Sequence, residues 1–250
     1  MRAAYPPLPL PYPPPPKQDL TYGETPFDAL ARPLALIEKR FGGLPAPGTG
    51  VFADIGCGTG KPLFAAALLH EWRACRGVEI VEELLGEAET LVEAWEGGLP
   101  YAGPKGSKET LFRIPRACRA AAMELFCGDA AVGGGGVGGG AGAGGVAGGA
   151  AARWSALKGD GLAADGGGFE WAEVDVAYAC STCFSEGLLS ALAGASAAAM
   201  KPGSFFITSS AALEHPAWEV VAEEVHRMSW GPATVYLQRK RLPRSSEEKN

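Results

Sequence analysis

Three glycines and one acid at alternate positions form the strongest chemical signal in the chain; they are Asp54, Gly56, Gly58 and Gly60. The residues at 51–55 are mostly apolar, which predicts a buried parallel strand running into a turn. The glycines permit backbone angles that other residues avoid, and they let a ligand approach the main chain. The spacing is not the dinucleotide fingerprint, because Lys61 stands where its third glycine would be, and no Gly-Lys-Ser/Thr phosphate loop follows.

A second acid lies at a spacing that suits a nucleoside. Glu79 follows Gly60 by nineteen residues and is predicted to end the second strand, where an acid can accept hydrogen bonds from both ribose hydroxyls. The glycine loop and Glu79 together resemble the cofactor site of class I methyltransferases, which bind S-adenosylmethionine. The resemblance implies that Asp54 holds the ammonium group of that cofactor through a charge-assisted hydrogen bond. The alternative is a tight strand–helix turn and a surface glutamate.

A short motif precedes the first predicted helix; it consists of Tyr22, Gly23, Glu24 and Thr25. With the glycine loop and the Gly-Val-Glu segment at 77–79, this motif resembles the non-SET histone lysine methyltransferases of the disruptor-of-telomeric-silencing type. In that family the motif closes over the methionine end of the cofactor, so the resemblance implies the same role for these four residues. The alternative is that Thr25 caps the helix and Gly23 makes a turn.

The segment at 175–184 is predicted to form the fourth strand and its exit, where a substrate should meet the cofactor. The histone enzymes have Val-Asn-Asn-Phe-Ala-Phe here; Cys180 and Ser181 replace the two asparagines, whereas Phe184 is retained. The resemblance implies that Cys180 and Ser181 lie at the substrate mouth, with Phe184 and Tyr178 as candidates for the channel wall. Val235 stands where the family has a channel tyrosine. An apolar channel would lower the pKa of a substrate lysine by desolvation, so no general base is assigned.

Cys180 and Cys183 form a Cys-x-x-Cys pair. Three interpretations stay open: unreactive or substrate-lining thiols, a redox pair, and a metal site. The metal interpretation lacks a second pair of ligands, since the three histidines are scattered.

The third strand is predicted at 123–129 and ends at Asp129. In class I methyltransferases an acid at this point often accepts the adenine amino group, and the resemblance implies that role for Asp129. The resembled family often places an aromatic residue next, but this chain has Ala130, so adenine stacking is left unassigned.

These segments predict an α/β fold, namely a Rossmann-like, seven-stranded class I methyltransferase fold with a mostly parallel sheet and an antiparallel hairpin at its C-terminal end. The expected helices span 26–40, 62–73, 82–95, 116–121, 186–199 and 219–224. The last two strands are expected at 225–230 and 233–238.

One methyltransferase-like domain is expected at 20–242, between a proline-rich tail at 1–19 and a tail at 243–250. Two flexible insertions are expected inside it, at about 97–107 and at 130–168, the second being rich in glycine. The proline tail is either passive or a ligand for an aromatic groove of a partner.

Composition limits the functional classes. The net charge of −6 argues against a protein that coats nucleic acid generally, although the basic segment at 239–244 leaves contact with a phosphate backbone or an acidic protein surface open. No apolar run approaches the about 18 residues of a membrane span, and no secretory signal is present. The six cysteines suit reduced thiols, so a nuclear or cytoplasmic location is expected. The partner that the resemblance implies is a protein substrate, a histone or nucleosome.

Overall fold

The structure is a computed structural model, and it describes residues 25–97, 122–127 and 169–243. Seven strands lie in these ranges: β1 (Val51–Ile55), β2 (Ala74–Glu79), β3 (Ala122–Cys127), β4 (Val176–Ala179), β5 (Phe205–Ser209), β6 (Trp218–Met228) and β7 (Gly231–Lys240). The same ranges contain four α-helices: α1 (Phe27–Arg40), α2 (Lys61–Leu69), α3 (Glu82–Gly97) and α4 (Glu186–Ala199). Short 3-10 turns occupy Trp171–Glu173 and Ser181–Cys183.

The strands form one sheet in the order β3-β2-β1-β4-β5-β7-β6. The five strands from β3 to β5 are parallel, whereas β7 runs antiparallel to both β5 and β6. The chain order reverses beside β1, which lies between β2 and β4, and a crevice at such a switch point is where open α/β sheets bind ligands. The expected Rossmann-like methyltransferase fold, with its C-terminal antiparallel hairpin, is confirmed.

Each face of the sheet is covered by a separate apolar cluster. Because side chains alternate along a strand, Phe52 and Tyr178 pack with α1, α2 and α3, whereas Ala53 and Ala177 pack with α4 on the opposite face. Every residue of β1, β4 and β5 is buried, as expected for central strands covered on both sides. The sheet therefore holds the ends of these strands in a fixed arrangement.

Two expectations about the elements are wrong. The helix expected at 219–224 is part of β6, an edge strand that pairs with β7 from Trp218 to Met228 with one register shift between Val220 and Ala222. Valines at 220 and 221 favour a strand, and the glutamates stay exposed at the edge. The helix expected to reach residue 73 ends at Leu69, because His70 is extended and Arg73 already donates its N–H to the carbonyl of Gly50 beside β1.

Several predictions fall outside the described residues. These are the roles of Tyr22, Gly23, Glu24 and Asp129, the helix at 116–121, the two tails except for residue 243, the insertion at 130–168, and all but the first residue of the insertion at 97–107. Within the described ranges, no helix combines the length and the apolar character that crossing a bilayer requires.

Candidate active site

The carboxyl ends of β1, β2 and β4 meet at one edge of the sheet. In the register of the parallel pairs, Asp54 lies between Gly77 of β2 and Tyr178 of β4. This edge also carries the glycine turn that follows β1 and the segment that leaves β4. The predicted cofactor residues and the predicted substrate residues that the structure describes are thus brought together.

The turn after β1 requires its glycines. Gly56, Gly58 and Gly60 have φ angles of 73°, 53° and 81°, in the left-handed region that residues with a Cβ rarely adopt. Gly60 directly precedes α2, whose second residue is Pro62. A Cβ on Gly56 would lie 3.2 Å from the ring of Phe184, so the turn and the post-β4 aromatic are in close contact.

Glu79 organises the turn from the neighbouring strand. Its Oε2 accepts a hydrogen bond from the Gly58 N–H at 2.8 Å. Its Oε1 accepts from the N–H groups of Ile80 and Val81, each at 2.8 Å. One buried carboxylate thereby joins the glycine turn to the start of α3, a contact that the sequence did not indicate.

Asp54, unlike Glu79, has no hydrogen-bond partner for its carboxylate among the described residues. Its side chain is 1% exposed, and both carboxylate oxygens are buried. Burial raises the pKa of Asp54 well above its usual range, and the nearby Glu79 charge raises it further. Buried polar groups are nearly always satisfied, so this carboxylate is suited to a positively charged hydrogen-bond donor.

Thr25 reaches the same edge from the start of α1. Its hydroxyl is 2.5 Å from the hydroxyl of Tyr178. The expected capping role is wrong, since Pro26 is the N-cap residue and no side chain caps this helix.

Tyr178 does not form a channel wall, because it is 0% exposed and packs within the sheet–helix core. Burial raises the pKa of its hydroxyl, which therefore stays protonated. Its position beside Asp54 makes it a support for the site.

The expected substrate-mouth residues separate into two groups. Cys180 and Cys183 are half-buried free thiols, and burial raises the pKa of Cys180. Ser181 is only 2% exposed and donates its hydroxyl to the carbonyl of Ser209 at 2.6 Å, so its expected place at the mouth is wrong. Phe184 is partly buried and covers Gly56.

Sequence reasoning missed a hydroxyl pair at this edge. The Thr182 and Ser210 side chains are 2.9 Å apart and join the exits of β4 and β5. Ser210 has a φ of 71°, an uncommon conformation for a residue other than glycine, and its N–H donates to the carbonyl of Thr234 at 2.7 Å. The run of serines after β5 was the available signal, but the pairing depends on strand adjacency.

Gly77 was predicted only as part of the Gly-Val-Glu motif, yet the packing around it leaves no room for a side chain. A Cβ there would lie 2.7 Å from the Cys57 sulfur and 2.8 Å from both Leu63 and Leu125. Cys57 is buried, and burial, followed by the charges of Asp54 and Glu79, raises its pKa. The absence of a side chain at position 77 thus allows the loop to pack against β2.

Comparison with solved structures agrees with this architecture. The chain is similar to an RNA methyltransferase of Salinibacter ruber in complex with S-adenosyl-L-homocysteine, with 16% identity, a TM-score of 0.50, and coverage of 90% of this chain and 99% of that one. It is also similar to the rRNA methyltransferase AviRa of Streptomyces viridochromogenes, with 14% identity, a TM-score of 0.51, and coverage of 87% and 86%. No protein-family model and no curated protein sequence matches the chain. At such identities the likeness concerns the fold, which is that of class I methyltransferases.

Proposed function

We propose that this chain is an S-adenosylmethionine-dependent methyltransferase. The observation that carries the proposal is the Asp54 carboxylate, which is buried and unpartnered beside a turn of glycines with positive φ. An acid in that state favours a ligand that brings a cation and N–H donors. When bound, S-adenosylmethionine supplies an electrophilic methyl group on a positively charged sulfur, and it also carries an ammonium group.

The residues of the chain divide the binding task. Asp54 would accept the ammonium, and the glycine turn would allow close approach of the main chain. Glu79 already accepts three N–H groups, while a carboxylate offers about four lone-pair sites, so it has room for a single further hydrogen bond. We therefore expect it to accept one ribose hydroxyl instead of two.

Methyl transfer needs position more than proton chemistry. Holding an acceptor in line with the methyl group supplies most of the rate through effective molarity. Phe184, which lies against the glycine turn, would exclude water from the reacting atoms. We assign no general base, since the thiol of Cys180 is held protonated by burial.

For the acceptor, we propose first a substrate other than lysine, with RNA as the class to test. The two structural neighbours named above are RNA methyltransferases. Against lysine, the positions matched to a lysine channel hold a thiol at Cys180, a buried serine at Ser181 and a buried aliphatic side chain at Val235. Histone lysine is the second proposal, favoured by the resemblance of the 22–25 motif.

The test is cofactor binding followed by an acceptor screen. S-adenosylmethionine is titrated into the full chain by calorimetry, with Asp54→Asn as the variant and Asp175→Asn as the matched control. Tritiated cofactor is then offered with total RNA, nucleosomes, free histones and a metabolite extract. Labelled RNA supports the first acceptor, and labelled histone supports the second.

If only small metabolites are labelled, the acceptor is neither RNA nor histone, but the proposed methyltransferase activity stands. Tight binding without any labelled product would indicate a cofactor-binding module that has lost catalysis. Absence of cofactor binding would overturn the proposal.

A further inference from the structure

The basic segment at the end of β7 lines a pocket that the proposed methyl transfer does not use. The pocket has a volume of about 700 Å³ and is lined by Pro216, Glu219, Arg239, Lys240, Arg241 and Leu242. Arg239 pairs with Phe205 at the start of β5, whereas the candidate active site lies beyond the opposite ends of the parallel strands. At about 3.3 Å per residue, the five residues of β5 put roughly 15 Å between the two edges.

The sequence alone presented this segment as an exposed basic exit from the fold. The structure instead places two of its cations within the sheet. Arg239 is half-buried, with its guanidinium carbon 5.6 Å from the centre of the Phe205 ring, and Lys240 is only 9% exposed. Arg241 follows directly and is exposed. Because side chains alternate along β7, Arg239 lies on the Phe205 face and Lys240 on the Met200 face, so the pocket combines one guanidinium of restricted geometry, that of Arg239, with the adjustable one of Arg241.

These cations differ from several others in the described ranges. Arg32, Arg73, Arg76 and Lys201 each form an ion pair with a carboxylate. Arg239 has no ion pair with any described residue, and its buried Nε has no hydrogen-bond partner there. Glu219 lies opposite Arg239 in the β6–β7 register, but the two side chains form no ion pair. The charge of this guanidinium is thus not neutralised by a described carboxylate.

The Lys240 side chain is held on the other face of β7 from Arg239. Its ammonium donates to the carbonyl of Met200, the residue that ends α4, and this is its hydrogen bond within the described structure. Burial lowers its pKa, and no carboxylate partner offsets that burial. The Lys240 ammonium is thus committed to the Met200 carbonyl, and the cations that the pocket offers to an anion are the guanidiniums of Arg239 and Arg241.

We propose that this pocket, with the guanidiniums of Arg239 and Arg241, binds a phosphate ester. A planar guanidinium matches the oxygens of a phosphate. Pro216 and Leu242 provide an apolar side for the carbon skeleton of the ester. The phosphate belongs either to a small metabolite or to a nucleic-acid backbone, two sources that share this chemistry. The proposal does not depend on methyl transfer, because it uses the other edge of the sheet.

The experiment measures binding by calorimetry with the full chain and four probes: inorganic phosphate, glycerol 3-phosphate, a ten-nucleotide oligouridine and a ten-residue polyglutamate. We expect the phosphate esters to bind and Arg239→Gln and Arg241→Gln each to weaken that binding roughly tenfold, as the loss of one charge-assisted hydrogen bond predicts. Arg241 is exposed, so its variant keeps the test valid if Arg239→Gln unfolds. Arg227→Gln, an exposed arginine on β6 near the other edge, is the charge-matched control and should change affinity less than twofold.

Salt dependence separates the two sources. A backbone ligand should bind at least tenfold more tightly than glycerol 3-phosphate, and each removed cation should lower its log–log salt slope by about 0.7. Equal affinity for both probes would identify a small phosphate ester. Failure of both esters to bind overturns the proposal, as does equal weakening by Arg227→Gln. Preferential binding of polyglutamate, lost in Arg239→Gln, would assign the pocket to an acidic protein segment instead.

Discussion

Replacement of Asp54 by asparagine should stabilise the protein without ligand while it weakens cofactor binding. Both carboxylate oxygens are buried without partners, and the Glu79 charge lies nearby. An unsatisfied buried group costs about 1–3 kcal/mol, and a charged one costs more. Asparagine keeps the shape and removes the charge, so we expect a gain of at least about 1 kcal/mol, which corresponds to a Tm increase of about 2–4 °C for a domain of this size.

The affinity should change in the opposite direction. A hydrogen bond to a charged group contributes about 1.5–3 kcal/mol, so loss of the Asp54 charge should weaken S-adenosylmethionine binding roughly 10- to 150-fold. Calorimetry measures the affinity, and thermal unfolding without ligand measures the stability. Asp175→Asn is the control, because that carboxylate is bonded to the Val51 N–H and to Lys201; its variant should lose stability and keep its affinity.

The pH dependence gives the same reasoning a second check. Because the folded pKa of Asp54 is raised, the native state holds a proton that the unfolded state has released, and stability declines as pH rises from about 4, the unfolded value, through the folded pKa. The Tm advantage of Asp54→Asn should therefore be absent near that lower limit and grow with pH. An advantage that is independent of pH, or a variant that melts below the native protein, would refute the account of Asp54.

Four further outcomes follow from the site and its supports. Gly77→Ala should lower the Tm by about 2–12 °C, because overpacking against Cys57 costs about 1–3 kcal/mol, whereas Gly86→Ala in α3, where a Cβ meets nothing within 4 Å, should raise stability slightly. Tyr178→Phe and Thr25→Val should each cost about 0.5–1.5 kcal/mol of unfolding free energy, and the double variant should cost no more than either one, since all remove one hydrogen bond. Glu79→Gln should lower both Tm and cofactor affinity, because an amide NH₂ would face the backbone N–H groups that the carboxylate accepts, and an unchanged Tm would contradict that role. Affinity of the native protein for S-adenosylmethionine should rise with pH as Asp54 ionises, over a range above that of an ordinary aspartate, and the Asp54→Asn protein should show no such rise.

The sequence predicted the parallel half of the fold well, because its signals are local. A buried apolar run, a glycine turn and a helix with proline in its first turn identify β1 and α2, whatever the rest of the chain does. The α4 helix was placed at its observed bounds, since Ser185 caps it and an alanine-rich run follows. In β6, the glutamates suggested a helix, but pairing with β7 across the whole strand overrode that local preference.

In the candidate site, too, features set by local sequence could be predicted and features set by contacts between distant segments could not. The acid and glycine positions could be predicted because their spacing along one strand and turn determines their geometry. The partners of these residues could not, since they depend on contacts across the sheet. Glu79 joins the glycine turn over 21 positions of sequence, and Thr25 meets Tyr178 over 153. Ser181 was expected at the substrate mouth because it stands where the resembled family has an asparagine, and only the adjacency of β4 and β5 shows that its hydroxyl is bonded internally.

The two acids at the strand ends, Asp54 and Glu79, have complementary states. Glu79 accepts three N–H groups and so holds the loop in a single conformation before any ligand arrives. Its negative charge then disfavours a second negative charge at Asp54, whose oxygens have no partners. A cationic ligand relieves both the desolvation and the repulsion at Asp54, whereas a neutral or anionic ligand of the same shape relieves neither. We therefore expect selectivity for a positively charged nucleoside over an uncharged analogue, because the cost that the cation relieves is already present in the protein without ligand.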